Sequence, residues 1–229
     1  MALSKRLLFS GQVNVTDKCD AGYYCTEGAT SPTPSDPDQG GICPVGHYCP
    51  RGSPKPFKCD PGKYCGKEGL TEATLNCSEG YFCTLGANKS QPTDGKTGDI
   101  CPAGAYCLPG SEAPQSCPPG TYSSSEGNTE PSDCINCTAG SYCEGHRNDK
   151  PDGVCDPGYY CPPGQSNRAP PLYQCDKGYK CSNGMKSPCP SGTYQDDTTQ
   201  SDCKVSIQFM LLLCLLYFFS KMIQPLGSR

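Results

Sequence analysis

The phrase CPVGHYC at 43–49 returns as CDPGKYC at 59–65, CPAGAYC at 101–107 and CDPGYYC at 155–161. A chain built on two cysteines six apart around a glycine is restricted to folds that repeat one small unit many times. Aligned on C-x-x-G, ten copies start at Cys19, Cys43, Cys59, Cys77, Cys101, Cys117, Cys137, Cys155, Cys175 and Cys189. In eight of them a second cysteine follows at the sixth position: Cys25, Cys49, Cys65, Cys83, Cys107, Cys143, Cys161 and Cys181. The other two, CPPGTYS at 117 and CPSGTYQ at 189, reach Cys134 and Cys203 further on. A longer period lies over the short one. Cys19, Cys25, Cys43, Cys49 and Cys59 recur as Cys77, Cys83, Cys101, Cys107 and Cys117, each displaced by 58 residues, and a looser copy runs from Cys137 to Cys203. The reading is an N-terminal segment 1–18, cysteine-rich units 19–76, 77–136 and 137–204, an apolar run 205–220 and a short tail 221–229. Self-similarity of this kind predicts an elongated stack, a rod.

An ordinary hydrophobic core is excluded. Between Gly11 and Lys204 only 15 residues are Val, Ile, Leu, Phe or Met, and Trp is absent. That apolar content does not offset a backbone ordering cost of roughly 1–2 kcal/mol per residue. Cysteine, at 21 of 229 residues, supplies the alternative, a disulfide scaffold in an oxidising compartment. Setting aside Cys214 in the apolar run leaves 20 cysteines, an even number that pairs completely. Zinc is the competing use, but only Cys134 and Cys137 stand as C-x2-C, and His47 and His146 lack a second histidine at short spacing.

Within the phrase, the fourth-position glycine permits a positive φ in a tight turn, and an adjacent Pro presets the turn position before it. The aromatic two residues later (Tyr24, Tyr48, Tyr64, Phe82, Tyr106, Tyr122, Tyr142, Tyr160 or Tyr194, with Lys180 the exception) is expected to cover a disulfide as a miniature core. No stretch before Val205 shows helical apolar periodicity, and Pro and Gly interrupt nearly every ten-residue window. The predicted fold class is small and disulfide-rich: an elongated tandem array of cysteine-rich modules with short β-ribbons and little regular structure, plus a C-terminal apolar helix. Connections 26–42 and 84–100 are expected as exposed loops.

At CPPGTYSSSEGNTEPSDCINC (117–137) the sequence resembles the cysteine-rich repeat named for the tyrosine-kinase ephrin type A/B receptors, and CPSGTYQDDTTQSDC (189–203) has the same form. The resemblance implies a growth-factor-receptor-type cysteine-rich fold, in the style of EGF-like modules, with Cys117 paired to Cys134 and Cys189 to Cys203. The C-x5-C copies depart from that pattern, and their pairing stays open between adjacent closure across the loops, such as Cys49 with Cys59, and closure within the phrase. No kinase segment accompanies the repeats: G-x-G-x-x-G, V-A-I-K, H-R-D and D-F-G are absent from the sequence.

No grouping of nucleophile and base emerges, no cofactor or metal is implied, and the expected class is non-enzymatic. His47 and His146 are read as turn or surface residues. A formal net charge of −4 argues against a nucleic-acid partner. Four N-x-S/T sequons, at Asn14, Asn76, Asn88 and Asn136, are candidate glycan sites in an oxidising compartment, with Asn88 favoured by its long loop. Leu7, Leu8 and Phe9 are too short an apolar run for a signal peptide, so an earlier start or a larger reading frame is expected. Residues 205–220, VSIQFMLLLCLLYFFS, span about 24 Å as a helix against a hydrocarbon core of roughly 30 Å. With Met222 and Ile223 added, they form a candidate single transmembrane helix, ahead of a lipid-anchor signal or an artefactual tail. The expected protein is an extracellular or cell-surface ectodomain for adhesion, spacing or binding an extracellular protein or glycan. The alternatives are a soluble secreted matrix component and a fragment of a larger surface protein.

Overall fold

A computed structural model describes residues 18–205. Their contacts divide them into two units, 18–117 with 123–134, and 118–122 with 135–205. Both are built from the same small part.

Each C-x-x-G phrase makes a hydrogen-bonded turn. In the third copy, the Lys63 N–H donates to the Asp60 carbonyl at 3.1 Å and Gly62, between them, has φ +77°. A type II turn requires positive φ at that third position, which is why glycine stands there. The chain leaving the turn pairs antiparallel with the residues ahead of the next first cysteine: Tyr23–Cys25 with Gly40–Ile42, His47–Tyr48 with Phe57–Lys58, Lys63–Tyr64 with Leu75–Asn76. Eight such two-stranded ribbons occur among the described residues, and a ninth pairs Thr193–Tyr194 with Lys204–Val205. In the eighth copy a single bridge between Tyr159 and Gln174 takes the ribbon's place. Among the described residues, regular helix is confined to two 3-10 turns, Pro131–Asp133 and Pro171–Tyr173. The segments 26–42 and 84–100 are mainly exposed, but each ends in a strand, Gly40–Ile42 and Gly98–Ile100, in matching register 58 residues apart.

All 20 cysteines between Cys19 and Cys203 are paired, and every pair lies within one module. The eight C-x5-C copies close on themselves: Cys19–Cys25, Cys43–Cys49, Cys59–Cys65, Cys77–Cys83, Cys101–Cys107, Cys137–Cys143, Cys155–Cys161 and Cys175–Cys181. Cys117 pairs with Cys134, and Cys189 with Cys203. A closed loop this short contributes about 2 kcal/mol in the chain-entropy model, against about 3 for a loop of 15 residues. The disulfides therefore pin single turns. They form no covalent link from one module to the next.

Coupling comes from the backbone. At the junction of the second and third modules, the Gly46 N–H donates to the Cys65 carbonyl at 2.7 Å and the Cys59 N–H to the Gly46 carbonyl at 2.9 Å. In the other half of the junction, the Gly69 N–H donates to the Cys43 carbonyl and the Cys49 N–H to the Leu70 carbonyl, both at 2.8 Å. The same four-bond set recurs at Gly22, Gly62, Gly80 and Gly104 in the first unit, and at Gly140 and Gly178 in the second. In the second unit Gly120 also donates to the Cys143 carbonyl and accepts from the Cys137 N–H, and three bonds of the set occur at Gly158. Because main-chain groups make these bonds, the surrounding side chains are free to vary while the ladder persists.

The core is correspondingly thin, consisting largely of the cysteines themselves. The phrase aromatic does cover a disulfide, but that of the following module: Tyr48 packs on Cys59–Cys65, Tyr64 on Cys77–Cys83 and Phe82 on Cys101–Cys107. The ribbon directs the ring forward, so each small core is shared between neighbours.

Residues 206–220 of the expected apolar helix lie outside the described residues, as do 1–17 and 221–229. Its first residue, Val205, is in a strand with Lys204 and faces Thr193, so the ribbon extends one residue into the expected span. Among the described residues no helix is long and apolar enough to cross a membrane.

Burial sets an expected order of reduction. Cys189 and Cys203 are both partly exposed, whereas Cys43, Cys49, Cys59, Cys65, Cys101 and Cys107 have no accessible surface. Thiol–disulfide exchange requires access of the attacking thiolate to sulfur. Under graded dithiothreitol with alkylation trapping, Cys189–Cys203 is labelled first and Cys101–Cys107 among the last. Early labelling of Cys101–Cys107 would contradict this reading.

Candidate functional site

Among the described residues, the expected site residues divide into a framework of buried or half-buried cysteines and a periphery of exposed sequon asparagines. The clearest anomaly in the framework is where cysteine is missing. In the two copies that lack a second cysteine at the sixth position, Ser123 and Gln195 stand in that place and are 5% exposed. Ser123 accepts the Gly104 N–H on its main-chain carbonyl, as a second cysteine does elsewhere, and Gln195 accepts that of Gly178. A polar side chain buried in a sulfur slot needs partners. Ser123 Oγ accepts from Asn128 Nδ2 at 3.0 Å, and the same nitrogen donates to the Ala105 carbonyl at 2.8 Å. Gln195 Nε2 donates to the Asp202 carbonyl at 2.6 Å. The sixth column of the C-x-x-G alignment singles out both residues.

His47 donates its Nδ1–H to the Val45 carbonyl at 3.1 Å, a local turn contact in the first unit. His146 is exposed in the second. Among the described residues no group of three or more His, Cys, Asp or Glu is placed to hold a metal ion.

The charged groups with displaced pKa values sit on loops and ribbon edges. In 84–100, Asp94 accepts the Thr97 N–H at 2.7 Å, the Lys96 N–H at 2.8 Å and the Thr97 hydroxyl at 2.8 Å. These donors, the Thr97 N–H foremost, lower its carboxyl to about 2. Asp133 is lowered by the Thr129 and Glu130 N–H groups. Lys204 bridges Asp196 at 2.6 Å and Asp197 at 2.7 Å, which raises the lysine and lowers Asp196. Lys186 pairs with Asp176 and lies over the rings of Tyr179, 4.6 Å from its centroid, and Tyr160, at 5.1 Å. Its pKa is raised by the Asp176 hydrogen bond first. Tyr160 in turn meets Tyr173 edge-on at 5.4 Å. The longer ribbon Tyr179–Ser182 with Met185–Pro188 assembles this group, and no short-range sequence pattern announces it.

Because the folded pKa of Asp94 is depressed, its contribution to loop order is complete above the ordinary carboxyl range and is lost as pH falls through about 2. An NMR titration is expected to place the Asp94 carboxyl midpoint near 2, with the Thr97 amide shifting in step and that shift abolished in Asp94→Asn. A midpoint at the ordinary 3.8 would show that the turn does not persist in solution.

Asn76 and Asn136 occupy the same place in their modules, exposed on the outer strand immediately before a first cysteine. Each lies over a loop glycine of the module two further on: a Cβ on Gly110 would stand 3.4 Å from Asn76 Cγ, and one on Gly164 would stand 3.3 Å from Asn136 Oδ1. Asn88 is exposed beside buried Ala87, and Asn14 lies outside the described residues. No protein-family model matches this chain, and no curated protein matches it.

Proposed function

We propose that the chain is a non-enzymatic, extracellular cysteine-rich repeat protein whose backbone ladder carries variable, exposed loops for adhesion, ligand binding or spacing. The observation that carries this reading is the complete pairing of the 20 cysteines from Cys19 to Cys203 in ten intramodular disulfides. Pairing of that density needs an oxidising compartment to form and persist. The three described sequons, Asn76, Asn88 and Asn136, are all exposed, which suits glycosylation on the same route.

The modules at 117–137 and 189–203 are proposed as ephrin-receptor-like repeats. Support comes from their motif and from the longer disulfide loops that accompany Ser123 and Gln195. The apolar run between Lys204 and Lys221 is the candidate tether on sequence alone, and a partner is an extracellular protein or glycan.

The test is expression of the full chain in a secretory host, followed by alkylation without reduction. The 20 repeat cysteines are expected to stay unmodified, and material made in reducing cytosol is expected to be alkylated throughout. Extensive labelling of the secretory product would overturn the reading. Release from membranes by detergent but not by alkaline carbonate supports the tether, and release by carbonate favours the secreted matrix alternative.

A further inference from the structure

In two of the sequons the middle residue is a first cysteine, Cys77 after Asn76 and Cys137 after Asn136, and both cysteines are buried. Each residue of these sequons is fixed by a different element. The asparagine is on a ribbon strand, Asn76 opposite Lys63 and Asn136 opposite Thr121. The cysteine donates its N–H to a turn glycine of the preceding module, Gly62 or Gly120, at 2.9 Å in both cases, and closes a disulfide with Cys83 or Cys143. The carbonyl of the third residue closes the turn, Ser78 accepting the Tyr81 N–H at 3.2 Å and Thr138 the Ser141 N–H at 3.0 Å. The Asn88 sequon is built differently. Residues 88–90 belong to no strand, and its middle residue is the exposed Lys89.

Transfer of a glycan requires the enzyme to hold the asparagine amide and the hydroxyl two residues on together, so the sequon's main chain must still be free to bend. We propose that closure of Cys77–Cys83 and Cys137–Cys143 gates glycosylation of Asn76 and Asn136. Each asparagine is modified while its cysteine is a free thiol and is refused once the disulfide and the ladder bond have formed, whereas Asn88 is modified without regard to either. The gate operates only if the chain takes the secretory route proposed above. The glycan comes from a lipid-linked diphosphate donor: a bond forms between Asn Nδ2 and the sugar C1, the bond from C1 to the phosphate oxygen breaks, and Nδ2 gives up a proton. The competing closure passes two electrons and two protons from the thiol pair to a disulfide-bearing oxidoreductase. Timing makes this a competition. The partner cysteine trails by six residues, which elongation at about 5–20 residues/s supplies in roughly a second, while oxidation takes seconds or longer. Both outcomes fit the folded array. The atoms of Asn76 and Asn136 nearest Gly110 and Gly164 are Cβ, Cγ and Oδ1, not Nδ2, so a sugar on Nδ2 leaves the contact in place and the chain folds as a mixture of glycoforms.

Expression of the full chain in the secretory host, with and without dithiothreitol during synthesis, tests this. Occupancy is read on total chain by enzymatic deglycosylation, which converts each modified Asn to Asp, and peptide mass mapping, so a variant retained in the cell is still scored. Asn76 and Asn136 are expected to be occupied less than Asn88 and to rise to its level in dithiothreitol, with Asn88 unchanged. Cys83→Ser leaves the sequon intact and is expected to raise Asn76 alone; Cys143→Ser is expected to raise Asn136 alone. Occupancy of Asn76 and Asn136 that equals that of Asn88 without reductant, or that reductant does not move, overturns the gate and leaves the extracellular reading standing. So does a rise at both sites in either single variant, which would assign the effect to general unfolding. A chain with no glycan at Asn88 and with its repeat cysteines alkylated has not taken the secretory route, and overturns both.

Discussion

Gly62→Ala is expected to destabilise the array by more than about 3 kcal/mol, whereas Gly95→Ala costs about 1 kcal/mol. Both glycines have positive φ, +77° and +64°, so both substitutions carry the same left-handed strain, roughly 1–2 kcal/mol. They differ in what the new methyl group meets. At Gly62 it would stand 2.3 Å from the Gly110 carbonyl oxygen and 3.3 Å from its carbon. Those atoms are backbone and have no rotamer to change, and Gly110 is itself held by its N–H bond to the Cys77 carbonyl at 2.8 Å. At Gly95 nothing lies within 4 Å. Relief at Gly62 requires the third module to part from the fifth, which breaks the junction bonds through Gly62 as well. Denaturant unfolding of the two variants gives the comparison. Equal losses would mean that turn strain alone sets the cost and that the close approach between alternate modules relaxes freely.

That close approach shows where the sequence could be read and where it could not. The turn glycine, the disulfide-based core and the short ribbons follow from local chemistry: a positive-φ position, too few apolar side chains, and two-residue alternation such as GYYC. The pairing of the C-x5-C cysteines is open in the sequence because spacing alone allows both closures. The structure decides it through the turn, closed by the His47 N–H to the Pro44 carbonyl, across which Cys43 and Cys49 stand at a Cα separation of 5.8 Å, while Tyr48 packs on the next disulfide. The forward direction of that ring is a consequence of strand pairing, which two or three residues do not encode. Ser123 and Gln195 are visible as departures from the phrase, but their role depends on Asn128 and Asp202, five and seven residues away, folding back on them. The Lys186 group depends on a ribbon between Tyr179 and Pro188 that no apolar periodicity marks.

Replacing both Cys101 and Cys107 by Ala is expected to unsettle modules on both sides of the defect, whereas replacing Cys189 and Cys203 unsettles the tenth module and those before it that it stacks on, chiefly the ninth. The direct loss in the first variant is about 2 kcal/mol of loop closure, with a further cost from the void left under Phe82, since both sulfurs are fully buried there. The spread follows from the main chain. Cys101 donates its N–H to the Gly80 carbonyl and Cys107 accepts the Gly80 N–H, while Cys101 accepts from Gly127 and Cys107 donates to Asn128. Four ladder bonds, two to each side, thus depend on the geometry that one disulfide holds. Cys189 and its module bond only backward among the described residues, through Gly178, Thr199 and Gln200. In an array stabilised by nearest-neighbour terms, an interior defect weakens two interfaces and a terminal one weakens a single interface. Amide exchange read by mass spectrometry is expected to quicken across 77–128 in the first variant and across 175–205 in the second. Exchange quickened only within 101–107 would show that the ladder does not transmit the defect and that each module stands on its own disulfide.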